Sequence, residues 1–148
     1  MVTLAEAVDI GASERYLCVV STLRADGTIQ SSVVNAGILP HPVNGEAVLG
    51  LVTYGKAKLA NLRKRPQITV TFRAGGAWAT IEGHAEIIGP DDPYPGFDAD
   101  RRRLLLREVF TAAGGTHDDW DTYDRVMVET RRAVVLVKAS RIYSNPSR

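Results

Sequence analysis

Segment 52–58 carries the residue types best suited to binding an anion. An apolar run ends there, Tyr54 and Gly55 make a turn, and a lysine-rich helix begins. The first turn of a helix exposes unpaired N–H groups at the positive end of its dipole, and glycine lets the backbone approach a ligand closely. The positive charges of Lys56 and Lys58 are unfavourable near that positive end. An anionic ligand such as a phosphate would offset the repulsion, because both the lysines and the helix end attract it. The alternative is that both lysines are simply solvated, and the pattern alone does not decide between the two interpretations.

Three further side chains are candidates for contact with a ring-shaped ligand. Gln30 and Ser32 lie on the second predicted strand, where they either face solvent or hydrogen-bond the edge of a heterocycle. Trp78 follows a Gly-Gly turn at the start of a later strand, where it either belongs to the core or stacks on a ring system. The sequence contains no Gly-x-Ser-x-Gly, P-loop or Gly-x-Gly-x-x-Gly pattern, so no nucleophile accompanies these residues.

The histidines and the single cysteine do not form a metal-binding pattern. His41, His84 and His117 match no zinc spacing, and Cys18 has no partner cysteine. Cys18 lies within an apolar run, which favours a buried small hydrophobe over a nucleophile. We therefore predict no metal site.

The composition is that of an ordinary globular domain. Eighteen basic residues oppose 17 acidic ones, so any anion site must be local, and there is no reason to expect nucleic-acid binding. A lone cysteine permits no internal disulfide and fits a reducing, cytoplasmic setting. We recognise no secretory leader and no apolar stretch of the ~20 residues needed to span a bilayer.

The elements that must position these residues are mainly strands, in a single domain spanning residues 1–148. Asp26-Gly27 is a strong hairpin signal, Pro66 ends the lysine-rich helix, and Gly83 predicts a bulge. Successive hairpins favour antiparallel pairing. Short strands leave no unpaired backbone N–H and C=O groups at a sheet edge when the sheet closes into a barrel. The predicted fold is β-dominated, a six-stranded antiparallel split barrel with peripheral helices. We predict strands at 16–23, 28–39, 46–53, 67–73, 77–88 and 133–143, and helices at 56–65, 101–113 and 119–130.

Four stretches, in order along the chain, carry a resemblance to a known family. They are the opening hairpin at 19–32, the helix at 56–66, the long strand at 78–88, and 117–123 leading into 131–136. With these stretches the chain resembles the split-barrel flavin-binding superfamily that includes pyridoxamine phosphate oxidase. Within it, the chain is most similar to the actinobacterial deazaflavin-dependent reductases, which bind coenzyme F420.

The resemblance implies a homodimer that holds its cofactor in the cleft between the two subunits. In the family, a lysine followed by Asn-Leu-Arg and a proline marks the phosphate clamp. This pattern maps to Lys58, with Lys56 beside it and Gly55 at the bend. The implied neighbours of the ring and the ribityl chain are Val52, Thr53, Tyr54, Gln30, Ser32 and Trp78, the last reaching over from the partner subunit.

The activity that the resemblance implies is hydride transfer from reduced F420 to an organic acceptor, such as a conjugated alkene, a quinone or a bilin. The cofactor carries the hard chemistry, while the protein supplies orientation and a dry cleft. The proton that follows the hydride comes from solvent or from a nearby hydroxyl such as that of Tyr54. Two alternatives stay open: an FMN-binding oxidoreductase like pyridoxamine phosphate oxidase, and a non-catalytic F420-binding protein.

Overall fold

The computed structural model describes residues 2–146 as a seven-stranded sheet flanked by helices. The strands are β1 (Leu17–Leu23), β2 (Ile29–Asn35), β3 (Gly37–Pro40), β4 (Ala47–Thr53), β5 (Gln67–Ala74), β6 (Ala77–Ile88) and β7 (Ala133–Ser144). The helices are α1 (Leu4–Ile10), α2 (Lys56–Lys64), α3 (Ala99–Ala112) and α4 (Trp120–Glu129), and a single 3-10 turn covers Ala12–Glu14.

A tight turn joins β1 to β2. The Arg24 N–H donates to the Thr28 carbonyl oxygen at 2.8 Å, and Gly27 adopts φ +85°, which glycine tolerates at no steric cost. The Asp26 carboxylate accepts the Thr28 N–H at 3.0 Å and holds the turn. Asp26 and Gly27 therefore form the hairpin that the sequence predicts.

Every strand pairing is antiparallel, in the order β2-β1-β5-β6-β7-β4-β3. The two strands at the ends of this order, β2 and β3, are successive along the chain and are separated only by Ala36. The single strand predicted at 28–39 is therefore two strands, and the prediction of six strands is wrong by one. The division arises because Ala36 is fully buried and donates its N–H to the Tyr16 carbonyl oxygen, so the chain changes its pairing partner from β1 to β4 there.

Gly83 lies at a β-bulge in β6, as the sequence predicts. The register between β6 and β7 shifts between Glu82 and Gly83. A side chain at Gly83 would overlap the carbonyl oxygen of Lys138 on β7. The bulge therefore requires a residue without a Cβ atom.

Two apolar clusters join the sheet to the helices. The first lies among the strands and α1, and includes the fully buried Val20, Val70 and Phe72. The second lies between the sheet and helices α3 and α4, and includes the fully buried Ile88 and Val109. Complete burial of each such side chain contributes about 1.5–3 kcal/mol, so the second cluster fixes α3 and α4 against the sheet.

The helix ends follow ordinary capping chemistry. Helix α1, which the sequence analysis does not predict, begins with a capping box formed by Thr3 and Glu6. Asp98 and Asp119 cap α3 and α4, because their carboxylates accept backbone N–H groups of the first turn. Helix α2 ends before Pro66, as predicted.

Candidate functional site

A cavity of about 970 Å³ lies where the end of β4, the start of α2, the end of β2 and the turn between α3 and α4 meet. Its volume is near the upper limit for small-molecule and cofactor sites, about 300–1,000 Å³. Three cations line it, Arg15, Lys58 and Arg132, whereas no aspartate or glutamate of the described residues does. We call it the cationic cavity, because its lining favours an anionic ligand.

Lys58 is the most unusual of the three cations because its side chain is only 4% exposed. Its Nζ donates to the Thr53 hydroxyl at 3.3 Å, and it forms no salt bridge with any carboxylate in residues 2–146. Burial lowers the pKa of Lys58, since the ammonium loses its hydration. The protein therefore holds a buried base that lacks a counter-charge of its own.

The neighbouring Cys18 does not supply that counter-charge. Its thiol is buried and donates to the Val34 carbonyl oxygen at 3.3 Å. Burial raises the pKa of Cys18 to about 12, so the thiol stays neutral near neutral pH. Cys18 is thus a buried small residue, as the sequence predicts.

The N-terminus of α2 opens beside Lys58 without a side-chain cap. Gly55 occupies the N-cap position in an extended conformation, and the first turn contains no acidic residue. The Gly55 N–H donates to the Thr53 hydroxyl at 3.1 Å, which orients the bend. The unpaired N–H groups of the first turn therefore lie at the positive end of the helix dipole. No carboxylate from this turn is there to accept their hydrogen bonds.

Arg132 is a cavity residue that the sequence analysis does not identify. In the pairing of β4 with β7, Thr53 lies opposite Ala133, so the next residues, Tyr54 and Arg132, meet where the two strands end. The Arg132 guanidinium lies 3.9 Å from the centre of the Tyr54 ring, within the range of a cation–π interaction. Because this contact depends on strand register, no local sequence signal indicates it.

Part of the cavity lining is aromatic and apolar. It includes Phe110, Tyr123 and Met127 from α3 and α4. The rings of Phe110 and Tyr123 lie 4.9 Å apart, centre to centre. The Tyr123 hydroxyl donates to the Leu106 carbonyl oxygen at 3.0 Å, and burial raises its pKa to about 12. The cavity lining therefore combines cations with aromatic and apolar side chains suited to a planar ring.

The cationic cavity brings together part of the predicted site. Five of the nine predicted residues line it and four do not. The residues of β2 that line the cavity are Val33, Val34 and Asn35, rather than the predicted Gln30 and Ser32. The five that line it are Val52, Thr53, Tyr54, Gly55 and Lys58, and the four that do not are Lys56, Gln30, Ser32 and Trp78.

Gln30 is held by a chain of hydrogen bonds outside the cavity lining. The Asn61 side-chain amide donates to the Thr22 hydroxyl at 3.0 Å, and the Thr22 hydroxyl donates to Gln30 Oε1 at 2.9 Å. Two residues further along β2, the Ser32 hydroxyl oxygen is buried and has no hydrogen-bond partner among the described residues. Ser32 therefore retains hydrogen-bonding capacity that this protomer does not use.

Lys56 and Trp78 lie apart from Lys58. Lys56 is exposed on the opposite face of α2, because residues two apart on a helix are rotated by about 200° around its axis. Trp78 is half-buried on β6, where its ring meets that of Tyr143 edge-on at 6.2 Å. Within one protomer, neither residue contributes to the cationic cavity.

No group of three or more His, Cys, Asp or Glu side chains in residues 2–146 is arranged to hold a metal ion. No helix in this range has both the length and the apolar character needed to cross a membrane.

Comparison with known proteins places this chain in a family of flavin-binding oxidoreductases. Residues 4–144 match the pyridoxamine 5'-phosphate oxidase family, and the chain belongs to it. The match spans nearly all of the chain, so the split-barrel resemblance seen in the sequence is confirmed.

Solved structures of the same fold include proteins with several different names. A conserved hypothetical protein from Mycobacterium tuberculosis aligns with a TM-score of 0.67 and 21% identity, over 97% of this chain and 84% of that chain. An F420 reductase aligns with a TM-score of 0.57 and 14% identity, over 87% and 90%. A FAD-binding protein from Mesorhizobium loti aligns with a TM-score of 0.59 and 10% identity, over 97% and 94%. At such low identities these similarities show the fold alone.

Proposed function

We propose that this chain is a deazaflavin-dependent oxidoreductase that transfers a hydride from reduced coenzyme F420 to an organic acceptor. The observation that carries the proposal is the buried Lys58 without a counter-charge, facing a cavity whose described lining contains no carboxylate. An anionic ligand supplies the missing charge and offsets the cost of burying the ammonium. The solved F420 reductase of the same fold supports the choice of cofactor.

In this proposal the phosphate group of the cofactor binds between Lys58 and the first turn of α2. The Lys58 ammonium and the free N–H groups of that turn donate to the phosphate oxygens, while the Thr53 hydroxyl keeps Nζ in place. Gly55 lets the backbone come close to the anion. Lys56, which is exposed, contributes long-range attraction at most.

The ring system extends from this anion site toward the apolar wall. Val52 and Tyr54 flank it from β4, and the half-buried strand β2 closes one side. We further propose that Ser32 and Gln30, which lie along β2 beyond the lining that one protomer provides, contact the ring edge where the partner subunit completes the cleft. In the same way, we assign Trp78 to the site of the partner subunit. When bound, the reduced cofactor supplies the hydride, and the protein holds donor and acceptor in contact and excludes water.

The cations beyond Lys58 favour F420 over FMN. FMN carries one phosphate, for which Lys58 and the α2 N-terminus suffice. Coenzyme F420 carries a further acidic tail on its phosphate, and Arg15 and Arg132 are two additional cations in the same lining. Arg15 is exposed and Arg132 is half-buried, so their positive charge is available to attract a ligand with more than one acidic group.

Fluorescence titration of the purified chain with F420 and FMN, side by side, tests the proposal. We expect F420 to bind at least about tenfold more tightly than FMN, a difference of roughly 1.4 kcal/mol. The reverse order would identify an FMN enzyme, and binding of neither would overturn the assignment. Tight F420 binding without turnover of alkenes, quinones or bilins would instead indicate a carrier of the cofactor.

We also propose that the protein works as a homodimer, through what we call the β1–β2 face. This surface consists of Leu17, Val19, Ile29 and Val33, which are 40–64% exposed on adjacent strands. Val19 and Val33 lie directly opposite each other in the pairing of β1 with β2. The Ser21–Ser31 pair separates Ile29 from Val19 and Val33. Exposed apolar side chains gathered on one face of two strands, with polar residues among them, are typical of a protein interface.

The Val19→Lys variant tests the dimer. We expect it to be monomeric by size-exclusion chromatography with light scattering, because two copies of the charge would be buried against apolar surface. We also expect F420 binding to weaken at least about tenfold, since each site lacks its partner-subunit contacts. Val128→Lys is the matched control, because Val128 is 73% exposed on α4, away from this face. A dimeric Val19→Lys protein would exclude the β1–β2 face as the interface.

A further inference from the structure

We infer that Tyr16 is the proton donor of the reduction, an inference that rests on the proposed function. An acceptor that gains a hydride at one atom must gain a proton at another, and a correctly placed phenol can deliver it. Three tyrosines line the cationic cavity: Tyr16, Tyr54 and Tyr123. The structure distinguishes among them by what each hydroxyl and each ring already contacts.

Tyr123 and Tyr54 are poorly suited to the role. The Tyr123 hydroxyl already donates its proton to the Leu106 carbonyl oxygen. Tyr54 is 59% exposed at the cavity mouth, and its ring face is covered by the Arg132 guanidinium. An exposed phenol at the mouth exchanges with solvent and gives little advantage over water itself.

Tyr16 is half-buried, and its hydroxyl has no hydrogen-bond partner within residues 2–146, unlike those of Tyr94, Tyr123 and Tyr143. Its ring lies against Gly114 in the turn between α3 and α4, since a methyl group on Gly114 would come within 2.9 Å of the ring. The phenol is therefore held in the cavity wall with its proton uncommitted.

The backbone around Tyr16 is strained and tied down on both sides. Arg15 and Tyr16 both adopt φ +58°, a left-handed conformation that typically costs about 1–3 kcal/mol for each non-glycine residue. The Asn35 side-chain amide donates to the Arg15 carbonyl oxygen at 2.8 Å, and the Ala36 N–H donates to the Tyr16 carbonyl oxygen at 3.2 Å. Strain maintained by such contacts at a cavity wall fits a side chain held in place for function.

The step balances for an acceptor that contains a conjugated enone. The β-carbon of the enone receives the hydride with its two electrons, the C=C π bond breaks, and negative charge moves to the carbonyl oxygen. The Tyr16 O–H bond then breaks as its proton passes to the enolate oxygen, which gives the enol; the enol then tautomerises in water to the saturated ketone. The Tyr16 phenolate regains a proton from water, and the cofactor is left oxidised by two electrons.

The test compares Tyr16→Phe with Tyr94→Phe, a control whose ring lies outside the cavity lining. The first readout is binding of pentafluorophenolate, an unreactive mimic of the enolate oxygen, to the complex with oxidised F420. We expect Tyr16→Phe to bind the phenolate about tenfold more weakly, since it loses a charge-assisted hydrogen bond, and to bind F420 as the unaltered chain does.

The second readout is the rate of cyclohex-2-enone reduction. We expect Tyr16→Phe to lower this rate about 100-fold and to lose the solvent isotope effect. Reduction of menadione, whose product anion is stable, should change less than about threefold by the same reasoning.

The outcomes separate this inference from the proposed function. If the unaltered chain binds no F420, the proposed function and this inference fail together. If F420 binds but Tyr16→Phe retains both phenolate affinity and enone reduction, Tyr16 is not the donor, and loss of enone reduction in Tyr54→Phe alone would transfer the role to Tyr54. If F420 binds and neither acceptor is reduced, the phenolate titration decides the assignment.

Discussion

Replacing Lys58 with methionine is expected to weaken F420 binding by about 1–3 kcal/mol, the value for loss of a charge-assisted hydrogen bond. The cofactor-free protein should at the same time become more stable, by about 1–2 kcal/mol, because methionine fills a similar volume without a buried charge. These opposite changes follow from the 4% exposure of Lys58 and from its lack of a carboxylate partner in the described chain. Fluorescence titration and urea unfolding measure the two effects on the same sample.

Lys64→Met provides the control, because Lys64 is exposed at the other end of the same helix. Its effects on affinity and stability should stay within about 0.5 kcal/mol. An unchanged affinity in Lys58→Met would remove Lys58 from the phosphate site. The corresponding Lys56→Met variant shows whether that exposed lysine contributes at all.

The stability of the cofactor-free protein should also depend on pH through Lys58. Because burial lowers the pKa of Lys58, the unfolded chain binds more protons than the folded chain between the folded and unfolded pKa values. Stability therefore rises with pH between those two pKa values, and the penalty for the buried ammonium is present in full below the lower one. The difference in unfolding free energy between Lys58→Met and the unaltered chain should shrink as pH rises.

Replacing Gly37 with alanine is expected to destabilise the protein by about 3 kcal/mol, the upper part of the range for overpacking. A methyl group on Gly37 would overlap the Ala112 carbonyl oxygen and lie 2.7 Å from the Ala113 nitrogen, both in the last turn of α3. Backbone atoms cannot rotate away as a side chain can, so α3 must move. The midpoint of urea unfolding should fall while the slope of the transition stays the same.

Gly76→Ala is the appropriate comparison for Gly37→Ala. Gly76 lies in the turn between β5 and β6, where an added methyl group meets nothing within 4 Å. Its effect on stability should lie within about 0.5 kcal/mol. Since Ala113 and Gly114 line the cationic cavity, Gly37→Ala should also weaken F420 binding. A Gly37→Ala protein with unchanged stability would show that α3 is not packed on β3 as described.

Much of the fold was predictable because its signals are local. Asp26 and Gly27 encode the first hairpin, Pro66 ends α2, and Gly83 marks the bulge. The capping box of Thr3 and Glu6 is an equally local signal for α1, which the predicted helices do not include. These features depend on backbone chemistry within a few residues, which is what a single sequence reports best.

The features that escaped prediction depend on contacts between distant segments. The change of pairing partner at Ala36 is set by burial and by the Tyr16 carbonyl oxygen, and Arg132 reaches Tyr54 only through the register of β4 with β7. The unequal burial of Lys56 and Lys58 was predictable, because side chains two apart on a helix point in nearly opposite directions. Which of the two faces the interior depends on packing that the local sequence does not show.

Val33 belongs both to the proposed β1–β2 face and to the lining of the cationic cavity. Its side chain is 62% exposed on the outer surface of β2, yet the same residue also lines the cationic cavity. If two copies associate through that surface, subunit association and ligand capture must be linked by mass action. Apparent ligand affinity would then fall as the total protein concentration drops below the self-association constant. Measurements made at nanomolar and micromolar protein would give different constants for the same site.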